Sequence, residues 1–319
     1  MIARWMLASL LTSAAVGSAQ SPPARSDAAL VRDPVDGALL LYGGYAVQGS
    51  APDPQAVVWR WKSGQWRMLV PTGDAHPGVR ADMVVAYDSS AGRLLLVGGQ
   101  AGDSAFGDVW AWQGAQWRRL VDGGPGGRHL AAAAFDPVRR ELVLMGGHDL
   151  NANVMRHDTW AFGASGWRAA DTTHALGPRF AAGMAWDPAR RAVVLHGGHS
   201  ATGGPLSDTW EWTGSAWRRI ATNGPATPAH NALVADPLGR GLLLISSPGD
   251  PVREPLETWL WEGASWRRLA VGGPSPRGGH ALVHDPVGRR VVLFGGQADS
   301  RTKFNDMWQF DGVRWSAVD

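Results

Sequence analysis

Five arginines stand at one repeated position in this chain: Arg25, Arg80, Arg128, Arg179 and Arg277. Each lies eight residues before an aspartate that opens a turn: Asp33, Asp88, Asp136, Asp187 and Asp285. A guanidinium is a planar fork of donors matched to carboxylates and phosphates. Five of them repeated about one axis would make a positive bowl for an anionic ligand. The competing reading is that each arginine bonds to carbonyls or acids of neighbouring loops. His148 and His199 are the second candidate set. Both directly follow a Gly-Gly pair, where other repeats carry Tyr45, Gln100 and Gln297. They are expected to face the same opening, with His129 or His230 nearby, and to hydrogen-bond a ligand or a loop. Histidines without a fixed ligand spacing are poor grounds for a metal. Neither a metal nor another cofactor is expected.

Other polar residues read as structural. Asp149, Asn151 and Asn153 imitate the start of a calcium loop, but Val154 stands where that loop needs Gly and Trp160 where it needs the bidentate acid. Asp108, Asp158, Asp208 and Asp306 each precede a Trp by two, and their repetition suggests acceptors for backbone N–H groups. His196 falls in an apolar run and is expected to be a buried neutral ring. There is no Ser nucleophile elbow, no HExxH and no phosphate loop.

The elements that must position these residues come from an internal repeat. Turns begin at Asp33, Asp88, Asp136, Asp187, Asp236 and Asp285, spaced 55, 48, 51, 49 and 49 residues apart. Periods near 50 point to a propeller blade instead of a helical solenoid unit. Each repeat divides into four strands, A to D. Strand A precedes the turn. Strand B is a short apolar run, such as Leu142 to Met145, suited to burial on both faces. Strand C carries aromatic residues two apart, such as Trp210 and Trp212, so both rings share one sheet face. Strand D carries Trp66, Trp117, Trp167, Trp217, Trp266 and Trp315. Of the 18 Trp residues, 16 sit at these positions, which favours packing between blades over sugar platforms. Arg118, Arg119, Arg218, Arg219, Arg267 and Arg268 would guard the outer edge of strand D.

The first and last repeats each own all four strands, so the ring should close by packing repeat six directly on repeat one. Repeat five departs from the pattern. It has Pro228 for the arginine, Ser246-Ser247 for Gly-Gly, and Glu257 for the Asp before Trp.

Net charge is +2, and the Arg-Arg pairs are spread by the repeat. Nucleic-acid binders show a clustered basic face, so none is expected as a partner. Residues 1–19 resemble an export signal: Arg4, an apolar stretch from Trp5 to Val16, and Gly17-Ser18-Ala19 for cleavage near Ala19. That stretch is too short to span a bilayer, which takes ~20 residues. With no Cys, stability must come from packing without disulfides.

Gly-Gly after four apolar residues, followed by spaced aromatics, resembles the kelch repeat. Gly43-Gly44, Gly98-Gly99, Gly146-Gly147, Gly197-Gly198 and Gly295-Gly296 carry the resemblance, which covers about residues 25 to 318. It implies an all-β, six-bladed kelch-type propeller over 26–319, after a short lead at 20–25. Some kelch proteins hold acidic peptides with arginines at the matching positions. The resemblance extends to galactose-oxidase-like propellers, but without Cys there can be no Cys-Tyr copper cofactor. The expected function is an exported, monomeric binding module. Its Arg25, Arg80, Arg128, Arg179, Arg277, His148 and His199 would meet an anionic protein, peptide or glycan. The alternative is a cofactor-free periplasmic enzyme acting on sugar acids, resembling the kelch-type sialic acid mutarotases.

Overall fold

The computed structural model describes residues 21–46, 57–122, 124–171, 174–226, 232–247, 254–269 and 272–318. The residues read as an export signal lie outside these ranges. All regular structure among the described residues is strand, arranged as six antiparallel four-stranded sheets and four short two-stranded ones. No helix there is long and apolar enough to cross a membrane.

Each repeat forms one blade in the order A-B-C-D. Blade 1 is Ala29–Arg32, Leu39–Tyr42, Val58–Lys62 and Gln65–Leu69. Blade 6 is Ala281–Asp285, Arg290–Phe294, Met307–Phe310 and Trp315–Val318. Neither borrows a strand from the other, as the repeat boundaries imply. The A strands form a closed inner ring, each touching the next, with blade 6 against blade 1. Arg32 fastens that closure by donating to Asp285 at 3.1 Å.

The strand sequences explain their depth. Leu142, Val143, Leu144 and Met145 of blade 3 are all buried, since strand B has a blade face on each side. Fully burying each such side chain contributes about 1.5–3 kcal/mol. Strand-D tryptophans wedge between blades. The indole N–H groups of Trp217, Trp266 and Trp315 donate to Thr159, Thr209 and Thr258 of the preceding blades at 2.9, 2.9 and 3.0 Å. The turn aspartates cap their own turns: Asp136 Oδ1 accepts the N–H of Val138 at 2.9 Å and of Arg139 at 3.0 Å, an Asx turn.

His196 is fully buried between blades 4 and 5. Its Nε2 is 3.0 Å from the Pro225 carbonyl and its Nδ1 is 3.0 Å from Thr209 Oγ1. A carbonyl only accepts, so the proton sits on Nε2. Nδ1 then accepts from the Thr209 hydroxyl, which in turn accepts from Trp266. Protonating Nδ1 would leave the Thr209 hydroxyl proton without its acceptor. Burial pushes the His196 pKa down to about 4, and burial also lowers that of His284. An unfolded histidine takes its proton near pH 6.5. Between pH 6.5 and 4, unfolding therefore takes up protons, and stability falls as pH falls. We expect His196 alone to remove about 3 kcal/mol across that window. Urea unfolding at pH 7 and pH 4.5 should show the loss, and His196→Asn should flatten most of it. An equal loss in the variant would contradict the assignment.

Candidate functional site at the channel mouth

The loops joining strand D to the next strand A meet the B–C loops on one face of the wheel. They pair as short ladders: Ser26 with Tyr45, Ala81 with Gln100, His129 with His148, Phe180 with His199, and Gly278 with Gln297. So the residues after Gly-Gly do surround one opening. The arginine loops lie beside them, but their guanidinium groups turn inward.

Arg25, Arg80, Arg128, Arg179 and Arg277 are all buried, at most 2% exposed. The expected open rim of guanidinium groups does not form, because the fold supplies each with acceptors. Arg128 Nη1 donates to the Gly146 carbonyl at 2.9 Å and to Asp158 Oδ1 at 2.8 Å, while Nη2 donates to Asp158 Oδ2 at 3.1 Å. Arg80 pairs in the same way with Gly98 and Asp108, Arg179 with Gly197 and Asp208, and Arg277 with Gly295 and Asp306. Arg25 donates to the carbonyls of Gly43 and Pro23 at 3.0 and 3.1 Å. Blade 1 has Val57 in place of the aspartate.

The same aspartates accept an indole N–H from the Trp two residues on, at 2.6–2.8 Å. They are structural acceptors, but for side-chain donors instead of the backbone amides expected. Burial pushes the Asp158, Asp208 and Asp306 carboxyls up. The arginine and indole hydrogen bonds outweigh it and hold them below the usual range.

Gly-Gly completes the clasp. The N–H of Gly147 donates to the Arg179 carbonyl of the next blade at 2.9 Å, and Gly44, Gly99 and Gly296 do the same with Arg80, Arg128 and Arg25. Arg25, Arg80, Arg128 and Arg179 thus each hold their own B–C loop with the side chain and the preceding blade with the carbonyl. Ser246 and Ser247 of repeat five do not adopt the left-handed conformation of these glycines. Pro228 and His230 lie outside the described residues.

Two residues past each arginine the backbone is left-handed: Asp27, Asp82, Leu130, Ala181 and Gly279 have φ of 59°, 54°, 53°, 55° and 62°. Across blades 6, 1, 2, 3 and 4 these residues form a hydrogen-bonded chain along the channel; the blade 5 position lies outside the described residues. Asp27 N–H donates to Gly279 at 2.7 Å, Asp82 to Asp27 at 3.2 Å, Leu130 to Asp82 at 3.1 Å, and Ala181 to Leu130 at 2.8 Å. All five line the cavity at the mouth, with His280 beside them.

The side chains along this hydrogen-bonded chain are unequal. Asp27 and Asp82 are carboxylates, on adjacent blades. Asp82 Oδ2 accepts from Gln100 Nε2 at 2.7 Å and lies 3.7 Å from His129 Nδ1. His129 Nε2 is 3.4 Å from His148 Nδ1. Burial raises the Tyr45 phenol, and the charges of Asp82 and Asp27 raise it further. Lys303 spans the closure of the ring, donating to the Tyr45 carbonyl at 2.8 Å and Ser26 Oγ at 3.2 Å. On the other side His199 stacks on Phe180, with ring centroids 5.2 Å apart at 22°. His148 and His199 therefore share the face but have different partners. Among the described residues no group of three or more His, Cys, Asp or Glu could hold a metal ion. Asp149 caps its own turn by accepting from Asn151 N–H at 3.0 Å and also pairs with Arg156.

Asp27, Asp82, Gln100 and His129 were not singled out as a group by sequence reasoning. The usable signal was a repeat position whose backbone role is constant while its side chain is not.

No family model matches this chain, and no curated protein matches it. Among solved structures it is similar to the structure of YjhT, with a TM-score of 0.67 and 13% sequence identity. The match covers 94% of this chain and 99% of that one. At that identity the likeness concerns the fold.

Proposed function

We propose that this chain is an exported kelch-type binding propeller whose ligand sits over the channel mouth. The observation that carries this reading is the adjacent Asp27 and Asp82, set among Gln100, His129, His148 and Tyr45 on a hydrogen-bonded chain whose backbone is locked. The anionic partner suggested by the arginines loses support, since aspartates pair with four of them and carbonyls accept from all five. Two carboxylates favour donors, so we assign a glycan or other polyol that offers hydroxyl or ammonium hydrogens to this side. Phe180 and His199 give an apolar stack for a sugar face on the other. Pockets of this kind join a few placed polar groups to an apolar wall.

A thermal-shift screen of neutral, amino and acidic sugars tests the reading. We expect neutral or amino sugars to stabilise the protein. Asp82→Asn should weaken the best hit at least tenfold without lowering the melting temperature. Preference for acidic sugars, or unchanged affinity in that variant, would refute it. The second reading, a cofactor-free sugar-active enzyme, is favoured by one feature: a carboxylate and two histidines in sequence could relay a proton. Ring-opening exchange of a bound reducing sugar, followed by NMR, would separate it from simple binding.

A further inference from the structure

The opposite face of the wheel carries the A–B turns and, outside them, the C–D turns. At three joints an arginine from one A–B turn crosses to the next blade's C–D turn. Arg139 of blade 3 donates to the Thr213 carbonyl at 2.6 Å, Arg190 of blade 4 to Gly263 at 2.8 Å, and Arg240 of blade 5 to Gly312 at 2.9 Å. The fit is close, since a Cβ added at Gly214 would lie 2.3 Å from the Arg139 side chain.

Between blades 1 and 2 this arginine is missing. Asp36 stands three residues after the turn aspartate, where blades 3 and 4 have Arg139 and Arg190. It is turned away, accepting from Ala38 N–H at 2.9 Å and pairing with Arg60. At the matching C–D turn, Gly114 has nothing within 4 Å of an added Cβ. A cavity opens there, with Leu40, Leu94 and Trp112 as its apolar lining, Tyr87 on its wall, and Asp33 and Gly114 at its rim; Arg60 and Arg93 also border it, their charges paired with Asp36 and Asp88. Burial raises the Tyr87 phenol, and the charges of Asp33 and Asp88 raise it further.

We propose that this cavity is a docking slot for an arginine side chain presented by a partner protein. The other joints supply the template: a guanidinium paired with a carboxylate of its own blade and donating across the joint to a C–D turn carbonyl. Here the stem would lie on Leu40 and Leu94, and the fork would reach the Gln113–Gly114 turn and Asp33. The planar ion suits this slot better than an ammonium, because it stacks on aromatic walls and makes several directed bonds.

The test uses the whole protein, with N-acetylarginine methylamide as probe and N-acetyllysine methylamide as control, followed by amide NMR. The arginine probe should shift the Gly92 and Gly114 signals saturably, and the lysine probe should bind at least tenfold more weakly. Asp36→Arg should fill the slot from within, raise the melting temperature and abolish probe binding. Asp82→Asn at the mouth should leave binding unchanged. Equal binding of the two probes, no shift at Gly92 and Gly114, or undiminished binding in a folded Asp36→Arg variant would overturn the proposal.

Discussion

Arg128→Ala is expected to destabilise the protein by about 3–5 kcal/mol, the cost of breaking a buried ion pair from one side. The change deletes donors to Gly146 and to both oxygens of Asp158. It leaves a half-buried carboxylate with only the Trp160 indole N–H among its strong side-chain donors. The blade 3 loop that carries His148 loses its anchor at the same time. Arg179→Ala should behave alike through Gly197 and Asp208. Arg128→Lys should recover little, since a point charge cannot replace a bidentate fork. Equilibrium unfolding in urea measures all three. A loss under about 1 kcal/mol, the range of surface pairs, would mean that the guanidinium is not held as described.

Gly146→Ala should cost a comparable amount by a different route. Gly146 has φ of +67°, and an added Cβ would lie 2.3 Å from the Arg179 carbonyl oxygen. A left-handed alanine costs about 1–2 kcal/mol. The collision with a backbone atom forces the joint between blades 3 and 4 to open as well. We expect at least about 3 kcal/mol in total, in the range of overpacking and strain combined. The control is Gly166→Ala, where φ is +90° but nothing lies within 4 Å. It should show the conformational cost alone. Equal losses at the two positions would remove the steric argument.

These two sites show what could be read in advance. The six-bladed plan was legible because every strand repeats, and a motif that recurs six times reports its own period. The Arg128 and Asp158 positions were each legible as repeat features, yet their pairing was not drawn. They stand 30 residues apart in sequence and meet only when strand C folds back along strand B. Four repeats carry both residues at separations of 28 to 30, which is the signal that joins them. Charge alone suggested a binding rim, whereas burial decides that the charge is used internally. The mouth residues were harder to see for the opposite reason. Asp27, Asp82, Leu130, Ala181 and Gly279 share a backbone conformation, not a side-chain type. Left-handed φ favours Gly, and among other residues Asn and Asp tolerate it best, so two aspartates there look like turn residues. Only the packing of adjacent blades brings Asp82 beside Gln100 and His129.

The arginine set is buried and builds the loop face from within. Guanidinium NMR on 15N-arginine-labelled protein tests it without any ligand. Arg80, Arg128, Arg179 and Arg277 should show resolved Nη protons, slow rotation about the terminal bonds, and strong protection from solvent exchange. Averaged, fast-exchanging signals from these four residues, like those of the exposed Arg140 and Arg289, would contradict it.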